Sequence, residues 1–202
     1  MKSNYITLIL GAGVLALFST WVQAGSQPIQ AVTSSAEVAA GGSQSVSEGS
    51  MCASTEQVFF SCPLVGRNKV VSMCAAGDVA HGAVRFYYAY GRPGASELVY
   101  PAQGQSTTDP FKRTFLSYAG GTGGYAYSFI NGQYKYIVYS VSGAGVDDGG
   151  VRVRRTGDLR AIADMKCRQG KKTEVSSGDI FHITLKWKSD PDIENHGLPS
   201  LH

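Results

Sequence analysis

Apolar and polar residues alternate most clearly between Gly124 and Ser140, where two such runs flank the pair Asn131-Gly132. An Asn-Gly pair in this position is a strong signal for a β-hairpin, because both residues tolerate the positive φ of a type I′ turn. A turn centred on this pair places Phe129 opposite Tyr134. We predict that the chain is organised around this hairpin.

Other apolar runs, bounded by Gly, Pro and Asn, predict further strands. A hairpin is predicted within 57–75, and single strands at 84–90, 97–100, 111–118, 151–155 and 180–187. The run 159–167 is interpreted as a strand that closes a hairpin on 151–155, although Leu159, Ile162 and Ala163 also have helical spacing. This spacing predicts an all-β fold, an antiparallel sandwich or small barrel of about eight to ten short strands.

The N-terminus has the pattern of an export signal: Lys2, an apolar run from Ile6 to Val22, and small residues at the third-last and last positions before a cut after Ala24. We predict a signal peptide at 1–24, with an uncleaved membrane anchor as the alternative. A disordered leader rich in Ser, Gly and Ala follows at 25–51, then one β domain at 52–188 and a C-terminal tail at 189–202. The predicted location is therefore periplasmic or secreted.

Four cysteines, Cys52, Cys62, Cys74 and Cys167, predict two disulfides in an exported chain. A hairpin with its loop near Asn68 brings Cys62 opposite Cys74, which favours the pairs Cys62–Cys74 and Cys52–Cys167. The competing arrangement joins Cys52 to Cys62 and Cys74 to Cys167. The spacing does not match a zinc site, so no metal is predicted.

The sequence carries no recognisable catalytic signature. It has no Gly-x-Ser-x-Gly elbow, and its Gly-rich stretches lack the Lys-Ser/Thr ending of a phosphate loop. The four histidines, His81, His182, His196 and His202, fit no zinc template. We therefore expect a protein that is not an enzyme and has no cofactor. A formal net charge of +3 is too small to suggest a nucleic-acid partner.

The segment Ser142–Gly150 is the candidate binding element. Its Gly and Asp content predicts a long surface loop, and loops on rigid scaffolds carry many binding residues. Asp147 and Asp148 would pair with basic groups of a partner. Arg152 and Arg154 alternate with Val151 and Val153, which predicts either a solvated strand face or an anion-binding patch. An ordinary hairpin connection is the alternative interpretation of the segment.

The motifs FSCPL and VSMCA, followed by FYYAYGRPGASELVYP, resemble a family of small exported proteobacterial proteins. In that family a cysteine-bearing hairpin, an aromatic strand, Glu-Leu-Val-Tyr-Pro and a Tyr-x-Tyr hairpin occur in the same order. The resemblance covers about Cys52 to Cys167. It implies an exported β protein and no particular activity.

A second resemblance is to the periplasmic lysozyme inhibitors, in which a Ser-Gly-x-x-Tyr loop inserts into the lysozyme cleft. Here Ser142-Gly143-Ala144-Gly145-Val146 follows a Tyr-rich strand, with Val146 at the position of the Tyr. The resemblance implies that Ser142 and Gly143 belong to a binding loop. We expect an exported binding or inhibitory protein that acts on a protein partner such as a cell-wall hydrolase or toxin. The alternative is an envelope interaction or structural protein without an inhibitory target.

Overall fold

The computed structural model describes residues 49–105, 110–176 and 178–201. The predicted signal peptide, most of the predicted leader and His202 lie outside these residues. No helix in the described ranges is long and apolar enough to cross a membrane.

The first strands are β1 (Gln57–Pro63), β2 (Val70–Asp78), β3 (Ala83–Arg92) and β4 (Ala95–Tyr100). The next are β5 (Lys112–Tyr118), β6 (Thr122–Asn131), β7 (Tyr134–Gly143), β8 (Val146–Arg155), β9 (Ala163–Lys166) and the short β10 (Thr173–Glu174). Two helices follow, α1 (Gly178–Thr184) and α2 (Pro191–His196). The strands form two five-stranded antiparallel sheets, in the orders β10-β1-β2-β3-β4 and β5-β6-β7-β8-β9.

The two sheets face each other across an aromatic core. Phe59 of the first sheet lies 5.5 Å from Tyr127 of the second, measured between ring centroids, and Tyr88 lies 4.9 Å from Phe129. The same core contains buried valines of β2, β7 and β8. The predicted antiparallel sandwich is therefore confirmed, and within the described ranges neither sheet closes into a barrel.

The central hairpin is present, but its predicted register is wrong by two residues. Phe129 pairs with Tyr136, and Asn131 pairs with Tyr134, so the turn consists of Gly132 and Gln133. Of these two residues only Gly132 has a positive φ, at 60°. This pattern is typical of a type II′ turn, which needs Gly at its first central position. Because the error is an even number of residues, each side chain keeps its predicted face.

Two disulfides form and no cysteine is free, as predicted, but both predicted pairings are wrong. The bonds join Cys52 to Cys74 and Cys62 to Cys167. A bulge after Val58 and the β1–β2 register place Cys62 in the core between the sheets and Cys74 on the outer face. Opposite faces prevent these two cysteines from meeting. Cys62–Cys167 therefore links the two sheets, while Cys52–Cys74 fastens the N-terminal segment to the outer face of the first sheet.

The predicted final strand at 180–187 is also wrong, because this segment starts with helix α1. Ile180 and Thr184 are buried, and Ile183 and Trp187 pack against the core. These four positions follow the helical spacing i, i+3, i+4, i+7. The alternation of apolar and polar residues around Phe181 suggested a strand. The residues that face the core, however, are those that share one face of a helix.

The predicted strand at 159–167 is confirmed in part of its length, since β9 pairs with β8. The predicted long loop at 142–150 is wrong. Strands β7 and β8 pair as far as Gly143 and Val146, and the turn has only two residues, Ala144 and Gly145. Both have positive φ, at 48° and 81°, as a type I′ turn requires. The Gly content therefore serves a tight turn and close strand packing.

Residues 190–200 cover the outer face of the second sheet, where the sequence predicted a tail. Ile193 and Leu198 pack on the apolar residues of β5, β6 and β7. A polar cluster that is buried except for the half-exposed Asp192, here called the anchor network, holds this segment in place. Its members are Ser128, Lys135, Arg154, Asp190 and Asp192.

Asp190 is the centre of the anchor network. Its carboxylate accepts hydrogen bonds from Ser128 Oγ at 2.6 Å and from Lys135 Nζ at 2.9 Å, and it caps helix α2 through the Asp192 N–H. Burial by itself would raise the pKa of Asp190, but these bonds and the charge of Lys135 lower it on balance. The hydrogen bond from Lys135 is the main cause that lowers the pKa of Asp192.

Candidate functional site

An open pocket of about 460 Å³ lies on the outer face of the second sheet, beside the end of helix α2. The buried ring of Tyr139 lines it, together with Asp148 and Arg152 of β8. Asp148 and Arg152 share the outer face of β8 because they are an even number of residues apart, and Tyr139 lies on the same face because it pairs with Gly150, midway between them. The remaining lining residues are Tyr118, Thr122, Val141, Val146, His196, Gly197 and Leu198.

Four charged side chains form a balanced network, of which Asp148 and Arg152 line the pocket while Asp164 and Lys166 lie behind them. Lys166 Nζ lies 2.6 Å from the Asp148 carboxylate and 3.8 Å from that of Asp164. Asp164 also accepts from Arg152 Nε at 3.3 Å. Arg152 is held further by a 2.8 Å bond from Nη1 to the Pro199 carbonyl. The charges of two acids and two bases cancel, and their contacts fix the side chains in place.

The ring of Tyr139 lies under the two cations of this network. Arg152 Cζ and Lys166 Nζ are each 5.2 Å from its centroid, which is within cation–π range. Burial raises the pKa of Tyr139, against the lowering influence of Lys166. Burial likewise raises the pKa of Tyr118. Both phenols therefore keep their protons at neutral pH, and the Tyr139 hydroxyl donates to an Asp164 carboxylate oxygen 3.4 Å away.

Two exposed apolar side chains stand at the rim of the pocket. Tyr118 ends β5 and Val146 begins β8, and each is 43% exposed. The turns next to them lie side by side, since Thr122 Oγ1 donates to the Gly143 carbonyl at 3.2 Å. A Cβ at Gly143 would collide with the backbone of the neighbouring turn, so Gly permits this close approach. The pocket thus combines apolar anchors with a rigid polar wall.

The structure brings only some of the predicted site residues together. Asp148 and Arg152 both line the pocket, whereas Asp147 points to the opposite face and lies 2.8 Å from Lys172. Adjacent residues of a strand must point to opposite faces, so the two acids cannot act as one pair. Within the chain both already have lysine partners.

The predicted arginine face is not solvated. Arg154 is buried beneath α2, where it pairs with Asp192 and donates to the Asp158 carbonyl. Ser142 and Gly143 end β7 next to the tight turn, close to the rim of the pocket. Of the six predicted residues, Arg154 is the one the fold withdraws from solvent most completely.

Sequence reasoning missed Tyr118, Tyr139, Asp164 and Lys166. A signal for Asp164 was available, because the β8–β9 hairpin was predicted and Arg152 pairs directly with Asp164 across it. Opposite charges in such a pair stabilise a sheet. Tyr118 had no such signal, since it reaches the pocket from β5, which is not adjacent to β8.

No protein-family model, no curated protein and no solved structure matches this chain. The two resemblances drawn from the sequence therefore remain hypotheses.

Proposed function

We propose that this chain is an exported binding protein that docks on a protein partner, such as a cell-wall hydrolase or toxin, and inhibits it. The observation that carries the proposal is the pair of exposed apolar side chains, Tyr118 and Val146, beside the charge-balanced wall of the pocket. Energetically important residues of protein interfaces are enriched in Tyr and Arg and lie near well-packed pockets. Two disulfides in the described domain support folding in an oxidising compartment outside the cytoplasm.

The geometry favours recognition by preformed groups. The Arg152 and Lys166 side chains are fixed by ion pairs, so binding loses little of their conformational freedom. An incoming polar side chain can exchange hydrogen bonds with this wall while apolar groups cover Tyr118 and Val146. The tight turn at Ala144-Gly145 is exposed beside the pocket. In this proposal it inserts into the partner, as the resemblance to the lysozyme inhibitors implies for residues 142–146.

Site-specific photo-cross-linking in the exported fraction tests this proposal. A photo-reactive phenylalanine in place of Tyr118 should cross-link a defined partner, which mass spectrometry then identifies. The same residue in place of Ile130 is the control, because Ile130 is exposed at the far end of β6. Tyr118→Ala should weaken binding of that partner at least tenfold without a change in melting temperature, since truncation of an interface anchor costs about 2 kcal/mol or more.

The identity of the partner decides between the two functional hypotheses. A hydrolase or toxin that loses activity when bound supports inhibition, whereas a component of an envelope assembly supports the structural alternative. Equal cross-linking from the Tyr118 and Ile130 positions would exclude the pocket as the docking site.

A further inference from the structure

Arg113 of β5 is a buried cation that has no counter-charge in contact with it among the residues that the structure describes. Its side chain is on the inner face of the sheet and the residue is 6% exposed. Within the described ranges its three guanidinium nitrogens have no hydrogen-bond partner, and no carboxylate lies within ion-pair distance. The ring of Tyr127 is near, at 5.8 Å from Cζ, but its hydroxyl makes no hydrogen bond of normal geometry to the guanidinium.

Aromatic rings offset only part of the cost of burying this charge. Arg113 Cζ is 3.7 Å from the ring centroid of Tyr125 and 4.6 Å from that of Phe181. Cation–π attraction of this kind is weaker than the desolvation penalty of a buried ion. Buried charges are ordinarily paired, so an unpaired buried guanidinium favours the binding of a negative group.

Among the described residues, the strand that carries Arg113 has no strand paired to its outer edge beyond Arg113 itself. β5 is the last strand of its sheet, and the outward N–H of Arg113 donates to the Lys188 carbonyl at 3.0 Å. By alternation the next outward backbone groups are those of Phe115 and Ser117, and both residues are exposed. Residues 114–118 contain no charge and no Pro, the usual devices that prevent a free edge from pairing.

An exposed aromatic surface continues from this edge to the buried cation. Phe115 is 64% exposed, and its ring lies 5.5 Å from Tyr125, which in turn lies 6.2 Å from Phe181. Phe115 and Arg113 share one face of β5, because they are two residues apart. An exposed apolar patch beside an unpaired strand edge is typical of an interaction site.

We propose that residues 115–118 of β5 accept an extended segment of a protein partner as an added strand, with an acidic side chain of that segment paired to Arg113. The inference rests on the proposed function, since it specifies the chemistry of one contact with such a partner. Strand addition satisfies the open backbone groups, and side-chain contacts then give specificity. A residue of the added strand opposite Phe115 is a diagonal neighbour of Arg113, within reach of a Glu side chain. The incoming carboxylate displaces the half-buried Phe181 ring.

Selection of random eight-residue peptides displayed on phage against the disulfide-intact exported chain tests this inference. The selected peptides should contain Asp or Glu within a β-prone sequence, and they should protect the amides of Phe115 and Ser117 from hydrogen exchange. Replacement of the acid by its amide in a synthetic peptide should weaken binding about tenfold or more, as expected for loss of a charged hydrogen bond. This comparison leaves the protein unchanged.

Variants of the protein provide the second part of the test. Arg113→Met should remove the preference for the acidic peptide over its amide, whereas Arg85→Met should preserve it. Arg85 is the control, because its guanidinium also contacts a tyrosine ring, lying 4.8 Å from that of Tyr87 on the other sheet, but the residue is exposed. Phe115→Lys places a charge on the exposed edge and should abolish peptide binding, and Ile130→Lys should not.

Failure to select acidic peptides, or protection at another edge, would overturn the inference. Equal binding of the acid and amide peptides would remove the role of Arg113. These outcomes are separable from a failure of the proposed function. If Tyr118 cross-links a partner while no peptide binds at β5, only the strand-addition inference fails. If acidic peptides bind at β5 but no partner is cross-linked from Tyr118, the pocket is not the docking site of the partner, whereas the edge of β5 remains a binding site.

Discussion

Replacement of Asp190 by Ala should destabilise the domain by about 3–4 kcal/mol. The Asp190 side chain is 2% exposed and that of its partner Lys135 is 6% exposed. Removal of one member of a buried ion pair costs about 3–5 kcal/mol, because the other charge stays buried. Lys135 keeps a second partner, Asp192, at 2.6 Å, which favours the lower end of this range. Loss of the cap of α2 adds about 1 kcal/mol.

Chemical denaturation of the disulfide-intact protein measures this loss directly. In a thermal melt it corresponds to a decrease of about 6–16 °C for a domain of this size. Asp190→Asn is the informative second variant, since the Asn oxygen can still cap the helix through the Asp192 N–H and the Asn amide nitrogen can donate to the Ser128 hydroxyl, but the side chain carries no charge. It should lose less stability than Asp190→Ala.

Asp179→Ala is the control for this prediction. Asp179 is an exposed acid in the first turn of α1, so its removal should change stability by no more than about 0.5 kcal/mol. If the free energy of unfolding of Asp190→Ala also lies within about 0.5 kcal/mol of the wild-type value, the C-terminal segment is not held by the buried pair.

The remaining predictions concern pH and the disulfides. The folded pKa values of both anchor-network aspartates are lowered, so their stabilisation is complete above the ordinary Asp value of about 3.9 and is lost as pH falls through the folded values. Lys135→Met should therefore flatten the acid side of a curve of unfolding free energy against pH, and an unchanged slope there would contradict the assignment. Peptide mapping without reduction should join Cys52 to Cys74 and Cys62 to Cys167, and any other pairing contradicts the structure. Their sequence separations of 22 and 105 residues give chain-entropy contributions of about 3.4 and 4.8 kcal/mol, so loss of the second bond should cost more in denaturant unfolding.

Local patterns determined the fold class and several strand pairings. Alternation over two residues is a short-range property, so the hairpin of β6 and β7, the strands from β3 to β5 and the β8–β9 pairing were predictable. The turn residue Gly132 located the central hairpin, although its φ selected a type II′ turn and a register different by two residues. A predicted export signal and four cysteines were enough to predict two disulfides.

Tertiary packing decided the features that depend on which face is covered. The β1–β2 bulge and register placed Cys62 and Cys74 on opposite faces, and no spacing rule in the sequence encodes such a bulge. The segment that contains Ile180 and Trp187 supports both a strand and a helical interpretation, and the shape of the core selected the helix. Short apolar runs are ambiguous because propensity is weaker than packing.

The candidate sites show the same division. Asp148 and Arg152 were identified from their residue types, whereas Tyr118 joins them from a non-adjacent strand. Arg154 has the sequence pattern of a solvated residue, and it is buried only because residues 190–200 fold back over the second sheet. Periodicity assigns a side chain to a face of a strand. What covers that face depends on segments far away along the chain, and only the folded structure brings them together.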